Sequence, residues 1–182
     1  MLAAPAPAAP ATIEGLQYAE GPVGTASASA HGKMPTAAVD CGRLAGRVFA
    51  TLSTGERQRV QLARAVAQVM AVRDDAPTSR FLLLDEPTSS LDPAHQHSAM
   101  RLVRQIAGTG CGVLAVLHDL NLAAAYADRV VLMHEAQVIE SGTPSEVLRA
   151  DLLESVFDIP MLVIPHPQLS HPLVIAEPQP QA

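Results

Sequence analysis

The sequence contains no tryptophan and only 3% aromatic residues. That poverty removes the ring surface on which single-stranded bases stack. Positive charge is also scarce: 12 Lys and Arg against 18 Asp and Glu leave a net charge of −6, which opposes binding to a phosphate backbone by bulk electrostatics. No nucleic-acid partner is expected. Cysteine is limited to Cys41 and Cys111. Without a CxxC pair they make neither a disulfide framework nor a zinc ribbon, and they suit a reducing cytosol. No apolar run approaches the ~20 residues that span a bilayer. Residues 1–12 are apolar but carry no Lys or Arg, so the charged start of a signal peptide is missing. A soluble chain is expected, with any membrane role exercised through a partner.

The remaining sequence divides into two parts. Residues 1–36 are mostly Ala, Pro, Gly, Ser and Thr, a composition that blocks regular helix and offers little to bury, so a disordered tail is expected there. From residue 37 the patterning changes. A short helix and turn are expected over 39–50, then a helix over 56–72 capped by Ser53 or Thr54, with Val60, Ala63, Val66, Ala67 and Met70 on its inner face. A polar break occupies 74–80. The apolar run Phe81-Leu82-Leu83-Leu84 reads as a parallel strand buried on both faces. Asp92-Pro93 caps a helix running to about Ala107, with Met100, Val103 and Ile106 inward and Gly108 at its end. Residues 112–117 form a second buried strand, and a helix is expected over 120–127. Strands at 129–133 and 137–140, short helices through Arg149 and over 151–157, and a hairpin of 161–164 with 172–175 complete the pattern. The alternation predicts an α/β fold with a mainly parallel sheet and antiparallel strands late in the chain.

Three segments carry chemistry. The buried strand 81–84 ends in Asp85-Glu86, at the sheet edge where open α/β sheets bind ligands. In a nucleotide site the first carboxylate holds Mg²⁺, usually through water, and the second polarises an attacking water. Read alone, the same string is an apolar strand leading into a capped turn. Leu52-Ser53-Thr54-Gly55-Glu56 opens a helix, where backbone N–H groups and the helix dipole make an anion site. Its plainer reading is a capping box of Ser53 and Glu56. His118 comes directly after the strand 112–117 and points to the same edge as Asp85 and Glu86, where it could sense a terminal phosphate.

In this order the segments resemble the ABC-transporter ATPase family. LSTGE is similar to the family signature LSGGQ/E, with Thr54 in place of the usual Gly. FLLLDEP resembles the Walker B strand, Ser89-Ser90-Leu91-Asp92 the D-loop, and His118 the switch histidine. The resemblance covers residues 37–176. Within the family, LSTGERQRVQLARAVAQ, DPAHQH, VLAVLHDLNL and the closing IPHP…HPLVI look most like the haem-importer ATPase subunits. Ferric-siderophore and cobalamin importers share the HDLN-type segment, so the cargo stays open among the three.

The resemblance implies an ATP-binding subunit, peripheral to the cytoplasmic face of a bacterial inner membrane. Its partners would be a membrane permease and a second ATPase subunit facing it head to tail, with a periplasmic haem-binding protein engaged indirectly. ATP and Mg²⁺ would be its cofactors. Glu86 would handle the attacking water, Asp85 would serve Mg²⁺, His118 would contact the γ-phosphate, and Ser53, Thr54, Gly55 and Glu56 would close over ATP held by the facing subunit. Asp92 would help couple the two sites. His166 and His171 sit in a Pro-rich turn and are read as ordinary polar residues there. The phosphate loop GxxxxGK[ST] is absent. Its nearest counterpart, residues 27–34, has Ser27 for the first Gly and Met34 for the Ser/Thr, and no strand precedes it. The chain is therefore expected to hold the C-terminal part of the ATPase domain, with 37–72 a remnant of the helical subdomain and 81–182 the Walker B to C-terminal region. Exposed sheet edges and apolar faces would result. An alternative stays open: a non-catalytic remnant or interaction module unable to bind ATP alone.

Overall fold

The computed structural model describes residues 41–44, 46–70 and 79–177. The expected tail, the loop-like string at 27–34 and most of the polar break lie outside them. Where a helix was expected over 39–50, the described residues form two 3-10 turns, Gly42–Leu44 and Phe49–Thr51. Gly42 and Gly46 interrupt the apolar positions too often for a helix to propagate.

The first helix, α1 (Thr54–Met70), starts two residues earlier than expected. The inner face is wider than expected: Val60 and Val66 are buried and Ala63 packs against the core, Leu62 joins them, and Met70 at the helix end is 47% exposed. Strand β1 (Phe81–Asp85) pairs in parallel with β2 (Gly112–Val116), and α2 (Pro93–Ala107) makes the crossover between them. Asp92 caps α2 by accepting from the His95 N–H at 2.9 Å, with Pro93 at the first helical position. Ala99, Leu102, Val103 and Ile106 of α2 join Val60, Leu62, Val66, Leu82 and Leu84 in one apolar core.

Strand β1 is not buried on both faces. Leu82 and Leu84 face the core, while Phe81 is 67% and Leu83 72% exposed. On β2, Leu114 and Val116 are exposed on the corresponding side. The parallel pair therefore has one covered face and one apolar face open to solvent.

The rest of the chain builds a second core. Helix α3 (Leu120–Tyr126) leads into the antiparallel pair β3 (Val130–His134) and β4 (Gln137–Gly142). Glu135 and Ala136 turn the chain at φ of 47° and 61°, the left-handed pair that a tight hairpin requires. Helices α4 (Pro144–Val147) and α5 (Ala150–Phe157) come next, then the hairpin of β5 (Met161–Pro165) and β6 (Pro172–Ala176). Ala124, Leu132, Val147, Leu148, Leu153, Met161 and Val174 bury one another in this second cluster. Asn121, at the start of α3, ties the hairpin down: its amide donates to the Val174 carbonyl at 3.0 Å and accepts the Val174 N–H at 2.8 Å. The fold is mixed α/β, with the parallel pair early and the antiparallel pairs late, as the sequence patterning predicts; the expected mainly parallel sheet is, among the described residues, a single two-stranded pair.

Candidate functional site

Because β1 and β2 run in parallel register, the residues just beyond each of them emerge at one rim. The Glu86 N–H donates to the Val116 carbonyl at 3.1 Å, extending the ladder by one residue. The chain then turns sharply, with Glu86 at φ 45°. A non-glycine residue in that region costs about 1–3 kcal/mol and persists only where neighbours hold it. Here the Glu86 carbonyl accepts from the Ser89 N–H at 3.3 Å, from the Ser89 hydroxyl at 3.2 Å and from the Gln58 amide.

His118 leaves β2 two residues beyond Val116, and its Nε2 lies 2.6 Å from Glu86 Oε1. A carboxylate only accepts, so Nε2 carries the proton and donates. The two side chains are 74% and 43% exposed, so the pair is open to an incoming ligand. Asp85, also exposed, borders a cleft of about 690 Å³ between α1 and β1, shared with Thr54, Arg57, Gln58, Gln61 and Pro87. Among the described residues no group of three or more His, Cys, Asp or Glu could hold a metal ion by itself.

The segment 53–56 forms the capping box its sequence implies. Ser53 Oγ accepts the Glu56 N–H at 3.2 Å, and Glu56 Oε2 accepts the Ser53 N–H at 2.8 Å. Arg47 takes the other Glu56 oxygen at 3.0 Å. These contacts hold the Glu56 carboxyl below the usual glutamate range, chiefly through the Ser53 backbone N–H. A carboxylate with a depressed folded pKa contributes stability above its unfolded pKa and loses it as the pH falls through the folded value. Acidification below the ordinary glutamate range should therefore fray the first turn of α1. Protection factors of the Glu56 and Arg57 amides should fall there more than in Glu56→Gln, whose protection factors should be flat with pH. Equal pH dependence in both proteins would contradict this.

The turn 87–92 abuts that helix start. A Cβ on Gly55 would sit 2.7 Å from the Ser90 carbonyl oxygen, so only glycine fits the approach. Both Asp92 oxygens are engaged within the chain, by the His95 N–H at 2.9 Å and the His95 ring at 2.7 Å. The backbone N–H of His95 is the main reason the Asp92 carboxyl lies below its ordinary range. His95 Nε2 meets Arg59 of α1 at 3.1 Å; since guanidinium only donates, Nε2 accepts and Nδ1 carries the proton.

The structure thus gathers Asp85, Glu86 and His118 at one rim and packs Gly55 against Ser90 and Leu91, with Gln58 reaching Ser89. Gln58, Arg59, His95 and Arg47 belong to this assembly and were not singled out from the sequence. His166 and His171 stand apart from it, with ring centroids 4.9 Å apart. His166 Nδ1 accepts the N–H groups of Gln168 and Leu169, each at 3.1 Å, and His171 Nδ1 lies 3.0 Å from the Pro172 carbonyl. Both rings serve the hairpin turn.

No family model matches the chain. Individual relatives do. The hemin import ATP-binding protein HmuV of Pseudomonas fluorescens (strain Pf0-1) is 49% identical over 139 residues, which are 76% of this chain and 53% of that protein. The protein of the same name from Gloeobacter violaceus is 50% identical over 139 residues, 76% of this chain and 50% of the relative. A solved ABC transporter described as of metal-chelate type superposes with a TM-score of 0.64 at 25% identity, over 84% of this chain and 62% of that one. The ATP-binding cassette MJ1267 in its ADP conformation gives 0.54 at 20% identity, over 68% and 46%, a likeness of fold.

The fold is therefore that of part of an ABC ATPase, a P-loop NTPase domain. In sequence the chain is similar to the hemin import ATP-binding proteins, and it spans about half the length of the curated relatives it matches.

Proposed function

We propose that this chain supplies the signature segment and the hydrolytic residues of the ATP-binding subunit of an ABC importer for haem, at the cytoplasmic face of a bacterial inner membrane. The observation that carries the reading is the Glu86–His118 contact at the shared rim of β1 and β2, 2.6 Å between donor and acceptor. Glu86 lies just past the end of β1, exposed enough to meet a water, and is oriented by a histidine just past the end of the neighbouring strand. It polarises the water that attacks the γ-phosphate. His118 contacts that phosphate.

Asp85 suits Mg²⁺ bound through water, because its carboxylate opens on the cleft and no other described acidic group crowds it into an all-protein cage. Mg²⁺ bound there with the nucleotide would neutralise charge on the β- and γ-phosphates. Ser53, Thr54, Gly55 and Glu56 form the exposed helix start that closes over ATP held by a second ATPase subunit, head to tail, and Ser89, Ser90, Leu91 and Asp92 lie between that segment and the rim. The membrane permease is the third partner, and a periplasmic haem-binding protein acts through it. Residues 37–72 belong to the helical subdomain and 81–182 to the C-terminal region of the ATPase domain. The exposed apolar face of β1 and β2 suits burial against a partner subunit.

Haem is favoured as cargo because the relatives are named for hemin import. The test is Mg-ATP turnover by vesicles in which the chain is assembled with its permease and a second ATPase subunit. Turnover stimulated by haem-loaded binding protein, and not by ferric siderophore or cobalamin, is expected. Stimulation by either of the latter reassigns the cargo. A second reading, a non-catalytic module that offers residues 53–56 to an intact partner, is favoured by the absence of GxxxxGK[ST] from the sequence. Turnover that survives Glu86→Gln but not disruption of residues 53–56 would establish it.

A further inference from the structure

The strained conformation of Glu86 is held from outside its own turn by one side chain, Gln58 of α1. Its Nε2 donates to the Glu86 carbonyl and approaches the Ser89 hydroxyl at 3.4 Å, while its Oε1 accepts the Ser90 N–H at 3.2 Å. One amide thus grips both ends of the turn that carries Glu86 away from β1. Glutamine suits the task, because it offers a donor and an acceptor on one planar group. The grip is partly buried at the Glu86 carbonyl, where losing a partner is costlier than at the surface. Gly55, three residues before Gln58, lies against the Ser90 carbonyl, with no room for a Cβ. Helix α1 and the turn are therefore joined at two points one helical turn apart.

We propose that Gln58 is a positioning residue: it fixes the backbone of Glu86 so that its carboxylate meets His118, and it makes the placement of that carboxylate depend on the seating of the helix that begins with residues 53–56. The proposal rests on the reading of Glu86 as the residue that handles the attacking water. A displacement of α1 when residues 53–56 engage a ligand would be passed by Gln58 to the Glu86 turn.

The test reads the Glu86–His118 contact directly and needs no nucleotide. Two-bond nitrogen–proton correlation spectra of the purified chain report the His118 tautomer. In the wild-type chain His118 is expected mainly as the Nε2–H form, and His118 in Glu86→Ala gives the reference for a lost contact. Gln58→Met keeps length and helix propensity but removes both bonds. It should move the His118 nitrogen shifts at least half-way to that reference while the backbone amide spectrum outside 84–92 stays in place. Gln58→Glu keeps the acceptor for Ser90 and replaces the donor to Glu86 by a carboxylate, and should move them as far or further.

His118 shifts unchanged in both variants would overturn the proposal. Global loss of the folded spectrum in both would also overturn it, by making Gln58 a determinant of the fold. Failure of the assembled importer to turn over Mg-ATP would remove the hydrolytic reading and leave the His118 result standing, so the two failures are distinguishable.

Discussion

Replacing Glu86 by Gln is expected, if Glu86 handles the attacking water as proposed, to lower Mg-ATP turnover of the assembled importer by about 10²–10⁴-fold, the usual contribution of a positioned general base, with little change in nucleotide affinity. The substitution is nearly isosteric. A glutamine Oε1 still accepts from His118 Nε2, which lies 2.6 Å away, and the backbone bonds at the Glu86 carbonyl and N–H do not involve the side chain. The geometry of the rim should therefore survive while the charge that polarises water is removed. A loss confined to kcat is the signature of an interaction made mainly in the transition state. His118→Ala separates orientation from charge: it leaves the carboxylate but removes its partner, and a smaller loss is expected. If Glu86→Gln retained full turnover in a preparation where the wild-type chain is active, the water-activating role would have to be given to another group.

Features of the site that depend on near neighbours were legible in the sequence. Ser53 and Glu56 are three residues apart, as are Asp92 and His95, and both capping arrangements arise from that spacing. The convergence of Glu86 and His118 was legible for a different reason: each comes just after a short apolar run, and parallel strands deliver the residues at their C-terminal ends to one edge. The features missed are long-range. Gln58 reaches Glu86 across 28 positions, Arg59 reaches His95 across 36, and Asn121 reaches Val174 across 53. An isolated polar residue on a helix gives no sign of which distant backbone it will meet. The Val60 and Val66 stripe of α1 is buried as its spacing implies, but the helix packs on both β1 and α2, so Leu62 is buried as well. Residues Phe81, Leu82, Leu83 and Leu84 read as a strand covered on both sides, because hydrophobicity alone does not say whether a cover is present. That is where pattern and packing part, and it is open to measurement.

Leu82 and Leu83 are adjacent, chemically identical and, in this structure, on opposite faces of β1. Leu82 is 4% exposed and Leu83 72% exposed. Truncating a buried leucine removes its transfer free energy and leaves a cavity, at a cost of about 2–5 kcal/mol. Leu82 packs within the core that contains Val66 and Leu102, both of which are essentially inaccessible, so relaxation around the gap is limited and Leu82→Ala should fall in that range. Surface substitutions away from special features usually change stability by less than about 0.5 kcal/mol, and Leu83→Ala should do the same in the isolated chain. Urea unfolding of the two variants compares them with chain length, composition and helix content held constant. Equal, large losses would show that the outer face of β1 is covered in solution by something the described residues do not include. A large loss for Leu82→Ala alone would establish the one-sided sheet. Addition of the permease and second ATPase subunit then tests whether a partner covers the open face. If the open face is completed only in the assembly, Leu83→Ala should weaken assembly while leaving the isolated chain as stable as before.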